Sequence, residues 1–359
     1  MNVVDKVPNL LGFTPEQLTD HLTARGVDVP LDEARRVLAH AISLRPDSTE
    51  RRRPVRASVL KAVADHTRLE RLEVVERVTD PVDNFCKYLL RSPDGALTEA
   101  VRIPLHKEGC FTVCLSSQVG CAMGCAFCAT GRLGLTRNLQ AWEMVSAFKA
   151  VRDEAPGRVT GAVFMGQGEP FHNYDEVIQA ARVLSNPCGG RIRMENITIS
   201  TVGLVPQIRR YTREGHRFRL IVSLTSAVAE RRRTLLPVAG RFPLTEVADA
   251  IREYALSRGE RATVAWVVMG GLNTGDDEVA ELKRLLSDVP LRINLIDVNE
   301  SRPDGFVRAS DEELSAFRDR LQVLGVPVVR RYSGGRERHA ACGMLAATRF
   351  GEANSTART

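Results

Sequence analysis

The sequence predicts an α/β fold: an open (β/α)6 partial barrel preceded by a small helical accessory domain. Three observations carry this. From Phe111 onward, short apolar runs alternate with amphipathic segments of helical length, which implies parallel strands joined by right-handed crossovers. Six such units are present, too few to close an eight-stranded barrel. Before residue 95 the alternation is missing, and the chain reads as helices followed by a hairpin.

Thr14-Pro15-Glu16-Gln17 starts the first helix, with an N-cap, a proline at the first helical position and an acid in the first turn. Leu18 and Leu22, then Ala34, Val37, Leu38 and Ile42, recur at helical spacing. Arg45-Pro46-Asp47-Ser48 and the arginines after it read as a loop, and a third helix runs from about Ala57 to Ala64. Phe85 to Leu90 and Thr98 to Ile103 flank the turn residues Pro93-Asp94-Gly95, a hairpin that feeds the larger domain. The expected parallel strands are 111–116, 161–165, 196–201, 218–224, 263–269 and 291–296. Helices are expected near 141–153, 174–185, 204–214, 243–257 and 275–287. The polar tail from Glu352 to Thr359 reads as frayed. Three parts follow: an accessory domain over 1–95, a core over 107–337 and a C-terminal tail over 338–359.

The net charge is +6. An excess of Arg and Lys favours a phosphate-bearing partner. The charge is clustered at Glu50-Arg51-Arg52-Arg53, Arg191 to Arg193, Arg209-Arg210, Arg231 to Arg233 and Arg330-Arg331. One such run reads as a solvated face, but their repetition makes nucleic acid a candidate partner. The N-terminus MNVVDKVPNLLGF lacks a secretory pattern, and no apolar run of about 18 residues suggests a membrane span. Eight cysteines are too few and too unevenly placed for a disulfide scaffold, so a cytoplasmic protein is expected; a monomer is expected as well.

Cys121, Cys125 and Cys128 in CAMGCAFC have the spacing Cys-x3-Cys-x2-Cys, with Phe127 directly before the third. Thiolates hold iron–sulfur clusters. Three of them on one loop can hold three corners of a 4Fe-4S cube and leave the fourth iron open for a ligand. Structural zinc would need a fourth protein ligand, from a second CxxC or a histidine pair, and none lies nearby. Met165-Gly166-Gln167-Gly168-Glu169-Pro170 follows the second strand. Its glycines let backbone approach a ligand, and Glu169 can accept from an ammonium group. Ser200, Ser223-Leu224-Thr225 and Asn299 fall at the ends of the third, fourth and sixth strands. Ligands bind at those ends of parallel sheets. A blander reading makes them strand-terminating caps.

The cysteine spacing resembles the signature of the radical S-adenosylmethionine (SAM) superfamily. Cys114-Leu-Ser-Ser-Gln-Val-Gly-Cys121 and Ala340-Ala341-Cys342-Gly343 narrow this to a resemblance to the RlmN/Cfr family of RNA adenine methyltransferases. The resemblance implies a partial TIM barrel and a 4Fe-4S cluster on Cys121, Cys125 and Cys128. It implies a SAM whose methionine part chelates the open iron and whose cleavage yields a 5'-deoxyadenosyl radical. Gly168, Glu169, Ser200, Ser223, Leu224, Thr225 and Asn299 would contact that SAM. Thr225 stands where the family pattern has His, and Asp297-Val298 where it has Pro-Trp. Gly334-Gly335-Arg-Glu-Arg-His339 replaces an acidic segment.

The resemblance also gives roles to two further cysteines. Cys342 takes a methyl group from one SAM to become S-methylcysteine. A radical from a second SAM removes a hydrogen, and the methylene radical adds to an adenine ring carbon. Glu99 accepts a proton, and Cys114 resolves the adduct through a transient disulfide with Cys342. Cys86, Cys110 and Cys188 read as structural. The implied activity is methylation of adenosine carbon 2 in ribosomal or transfer RNA, fed by an electron donor such as flavodoxin or ferredoxin. Alternatives are carbon 8 methylation, a radical enzyme acting on a small molecule or peptide, and a non-catalytic iron–sulfur RNA-binding protein.

Overall fold

A computed structural model describes residues 7–43, 54–299, 305–331 and 334–346. The loop expected at Arg45-Pro46-Asp47-Ser48 and the tail from Glu352 lie outside the described residues. α1 (Pro15–Thr23) begins with a complete capping box: Gln17 N donates to Thr14 Oγ1 and Thr14 N to Gln17 Oε1. Two donors that the helix ladder leaves open are thereby satisfied. α2 (Leu31–Leu38) runs into a π-helical turn at Ala39–Ser43, and α3 (Ala57–His66) follows. Leu18, Leu22, Leu38, Ile42 and Val59 are buried in one continuous hydrophobic core with the central sheet, so the helical module is packed onto the rest of the chain.

Next come β1 (Glu73–Thr79), β2 (Cys86–Arg91), β3 (Leu97–Pro104), β4 (Cys110–Leu115), β5 (Gln118–Gly120), α4 (Ala129–Arg132), β6 (Leu135–Asn138), α5 (Ala141–Asp153) and β7 (Arg158–Phe164). They are followed by α6 (Tyr174–Ser185), β8 (Ile197–Thr201), α7 (Val205–Glu214), β9 (Arg219–Ser223), α8 (Ala229–Leu235), α9 (Leu244–Arg258) and β10 (Ala262–Val268). α10 (Asp276–Leu286), β11 (Leu291–Asp297), α11 (Asp311–Leu321) and β12 (Val328–Arg331) complete the order.

Ten strands form one sheet in the order β1-β2-β3-β4-β7-β8-β9-β10-β11-β12. Pairing is parallel from β4 across to β12 and antiparallel through β1, β2, β3 and β4. The order is linear, with β1 and β12 at the two edges, so the barrel is open. Ile197, Ile199, Val264, Trp266, Ile293 and Leu295 are buried in the main core, each pair sharing one face of its strand. The hairpin turning at Pro93-Asp94-Gly95 is β2–β3, and it belongs to this sheet. The six expected strands are β4, β7, β8, β9, β10 and β11. The sheet runs one strand further, to β12, a short and largely exposed edge. β5 and β6 pair separately as a small antiparallel ribbon. Among the described residues, no helix is long and apolar enough to cross a membrane.

Candidate active site

The three-cysteine loop lies between β5 and α4, and glycines fix its shape. Gly120 has φ +76°, and a Cβ there would meet Gly134 O at 1.9 Å. Only glycine fits at its entry. Cys121 N donates to Gly134 O at 2.7 Å, and Cys128 N to Cys125 O at 3.1 Å. Ala126 N donates to Leu235 O of α8 at 3.0 Å. Two further bonds reach the C-terminal segment: Ala129 N to Gly343 O at 2.8 Å, and Thr130 Oγ1 to Leu345 O at 2.6 Å. The loop therefore seats the turn that carries Cys342. Burial pushes the Cys125 thiol above its ordinary range, and the neighbouring Cys128 and Cys121 push it the same way. Thiolates are held there only if a cation binds them. Among the described residues, no three His, Cys, Asp or Glu side chains converge on a single metal position. Three thiols that serve separate corners of a cube have no need to.

Cys125 and Cys128 face a cavity at the carboxyl ends of β7, β8, β9 and β11, together with Gly168, Glu169, Ser200, Ser223, Asn299 and Cys342. Gly166 and Gly168 line the same wall, and a Cβ on either would come within 2.8 Å of neighbouring backbone. Glu169 is buried; Oε1 accepts from Phe171 N and Oε2 from Val202 N, both at 2.9 Å. Burial lifts its pKa to about 7, against the pull of those amides. A carboxylate so placed is completed by an incoming ammonium group. Of the strand-end residues singled out in the sequence, Leu224 and Thr225 do not line this cavity. Both are fully buried behind it, with Leu224 N donating to Ala265 O and Thr225 O accepting from Asn273 Nδ2. Thr225 takes φ +61°. Cys121 is buried at the start of the loop.

A second cavity of about 480 Å³ adjoins the first, a size typical of small-molecule or base pockets. Its walls include Phe85, Ile103, Cys114, Val163 and Ala340, with His106, Arg330 and Arg331 also lining it. Met165, Ala265, Ile296, Leu345 and Cys342 line both cavities. Cys114, 6% exposed, sits within β4 between Val101 and Val163. Burial pushes its thiol above the ordinary range, and the charge of Cys342 adds to this. Cys342 is exposed on its turn, its carbonyl accepting from Asn299 Nδ2 at 3.3 Å, and both cysteines are free thiols. Glu99 lies outside both linings. It is buried in β3 and ion-paired with buried Lys87 at 3.0 Å. Sequence reasoning passed over that lysine, and over Arg232 of α8, which is 1% exposed.

Comparison with known proteins agrees with this arrangement. A family model described as Radical SAM superfamily matches residues 115–286. The chain is 51% identical over 328 residues to a "Probable RNA methyltransferase" of an Anaeromyxobacter species, covering 90% of this chain and 95% of that one. It is 35% identical over 338 residues to the "Dual-specificity RNA methyltransferase RlmN" of Syntrophotalea carbinolica, covering 94% and 89%. The crystal structure of a radical SAM methyltransferase from Sphaerobacter thermophilus superposes with a TM-score of 0.84 at 36% identity, over 95% of this chain and 100% of that one. The fold is that of a radical SAM enzyme. More narrowly, the chain belongs to the RlmN family of SAM-dependent RNA methyltransferases.

Membership implies a 4Fe-4S cluster and SAM. The residues present fit both. Two of the three thiols on one glycine-shaped loop, Cys125 and Cys128, border a cavity that also offers a buried carboxylate, two serine hydroxyls and a carboxamide, and Cys121 is buried at the start of the same loop.

Proposed function

We propose that the chain methylates carbon 2 of an adenosine in ribosomal or transfer RNA, carrying the methyl group on Cys342 and releasing product through a transient disulfide with Cys114. The observation that supports this best is the place of Cys342, the one cysteine lining both cavities. One cavity would hold the methyl donor, and the other, largely apolar, would take the base. When bound, the cluster and SAM supply a carbon radical that abstracts hydrogen. Cys121, Cys125 and Cys128 would hold the cluster. Glu169 would meet the amino group of SAM, with Gly168, Ser200, Ser223 and Asn299 around the rest. Leu224 and Thr225 would act from behind the cavity, through backbone at the strand ends.

Cys342 as thiolate attacks the SAM methyl carbon, and the sulfonium leaves as a neutral thioether. Once the methylene carbon is bonded to the adenine ring, the radical adduct must give up one electron, which the oxidised cluster could take back when bound, and the ring proton before release. Glu99, ion-paired with Lys87 on the adjacent strand, would accept that proton. Cys114 then attacks the Cys342 sulfur, the sulfur–carbon bond breaks, and the carbon takes a proton to become the methyl group. The 1–95 module is assigned to RNA contact, and the relatives' printed dual specificity supports more than one RNA target. An external flavodoxin or ferredoxin would supply electrons to a cytoplasmic monomer. Mass spectrometry of RNA nucleosides from cells with and without the gene tests the reading. Loss of 2-methyladenosine is expected, whereas loss of 8-methyladenosine alone, or no change, contradicts it.

A further inference from the structure

Arg232 carries a buried charge that no carboxylate meets among the described residues. Its side chain is 1% exposed. Nε donates to Leu224 O at 3.2 Å and Nη2 to Val202 O at 2.8 Å, while Nη1 is buried without a hydrogen-bond partner among the described residues. The neighbouring Arg231, by contrast, is met by Asp277 at 2.8 Å and Glu278 at 2.6 Å. Two neutral carbonyls satisfy donors but do not neutralise a cation, and a buried charge without a counter-charge is strongly unfavourable. Burial accordingly pulls the Arg232 pKa down, and the charge of Cys125 opposes this.

The position of the guanidinium is equally specific. Its two carbonyl partners directly follow β8 and β9, the strands that bring Ser200 and Ser223 to the cavity. The peptide N–H of Val202, meanwhile, donates to Glu169. Arg232 itself rides on α8, whose Leu235 carbonyl binds Ala126 of the cysteine loop. α8 thus joins the cluster loop, through the Leu235 carbonyl, to two strand ends, through the Arg232 side chain.

We infer that Arg232 is a positioning residue whose counter-charge is the cluster itself, and that it stabilises the reduced cluster relative to the oxidised one. The inference rests on Cys121, Cys125 and Cys128 holding that cluster. A cluster bound by three thiolates is a net anion, and one electron from a low-potential donor makes it more negative. No bond forms or breaks at Arg232 and no proton moves; the guanidinium lowers the cost of the added charge. An apolar or neutral side chain there makes the cluster harder to reduce.

The test compares anaerobically reconstituted wild-type protein with Arg232→Gln, which keeps donors and removes the charge, and Arg232→Lys, which keeps the charge. Iron content, the midpoint potential from an EPR-monitored titration, and thermal unfolding with and without the cluster are measured. About four irons are expected in each protein, with the potential shifted negative in Arg232→Gln and less in Arg232→Lys. Cluster loading should stabilise Arg232→Gln less than wild type. A fully loaded Arg232→Gln with unchanged potential overturns the inference. If Arg232→Gln does not fold, hydrogen exchange on the wild type decides: loading should slow exchange at Val202, Leu224 and α8, and equal exchange overturns the inference. Failure of the wild type itself to take up iron contradicts the cluster assignment instead, which separates the two.

Discussion

The cysteine loop and the pair Cys114–Cys342 open onto adjoining cavities, but the chain holds them in different ways. Cys121, Cys125 and Cys128 lie within one short loop, shaped by a glycine and pinned by backbone bonds to α8 and to the C-terminal segment. Cys114 is fixed inside the sheet, whereas Cys342 comes from the far end of the chain and is exposed on a turn. A ligand set needs one fixed geometry, which a short segment supplies most simply. Two thiols that meet and part again, as the proposed relay requires, need one rigid partner and one that can move. The bond from Thr130 to Leu345 couples the two regions, so the second is placed by the first.

The comparison breaks most sharply by substitution. Cys125→Ala should remove the iron chromophore and all SAM cleavage, read by iron analysis and 5'-deoxyadenosine release. Cys342→Ala should keep the irons and detectable SAM cleavage but transfer no methyl group to RNA. Wild-type protein purified from cells should carry one extra methyl group on the Cys342 peptide. Equal defects in the two variants would erase the distinction between the regions.

A smaller effect lies behind the pair. Lys87 and Glu99 form a buried ion pair, and removing one partner strands the other's charge. Lys87→Met should therefore cost about 3–5 kcal/mol in urea unfolding. A cost near zero would mean that water reaches the pair.

The cofactor side has a pH signature. The Glu169 carboxyl rises from its ordinary 4.5 to about 7 on folding, so the folded state favours its protonated form. Between about pH 4.5 and 7 the folded protein without SAM binds more protons than the unfolded chain. Stability is thus fully present below that window and is lost as pH rises through it, by about 3 kcal/mol in all. Glu169→Gln should flatten this dependence in denaturant titrations at several pH values, and an unchanged slope would place its origin elsewhere.

The six parallel strands were legible because each is short, mostly buried and rich in aliphatic or β-branched residues, as in Ile197–Thr201 and Leu291–Asp297. β12 was not, because Val328-Val329-Arg330-Arg331 is a four-residue exposed edge without alternation. α11 left a readable signal: Ser310 accepts from Glu313 N as N-cap, and Leu314, Phe317 and Leu321 recur at helical spacing. The cysteine loop was readable because its residues are adjacent in sequence. The Lys87–Glu99 pair was not, since it is a diagonal contact across β2 and β3 that only the register reveals. Leu224 and Thr225 were read as cavity residues because they end a strand. The chain turns there through a left-handed Thr225, carrying both side chains behind the cavity. Arg232 looked like one member of a basic run, and only its burial separates it from Arg231 and Arg233.

The two-thiol relay is tested most directly by trapping its intermediate. In the proposed relay Cys114 acts only after the new carbon–carbon bond exists, so removing it should block release and nothing earlier. Cys114→Ala expressed in cells should copurify with RNA joined to Cys342, and nuclease digestion should leave a nucleotide on that peptide by mass spectrometry. Cys342→Ala should carry no such adduct. Normal turnover by Cys114→Ala, with no RNA attached, would contradict the relay.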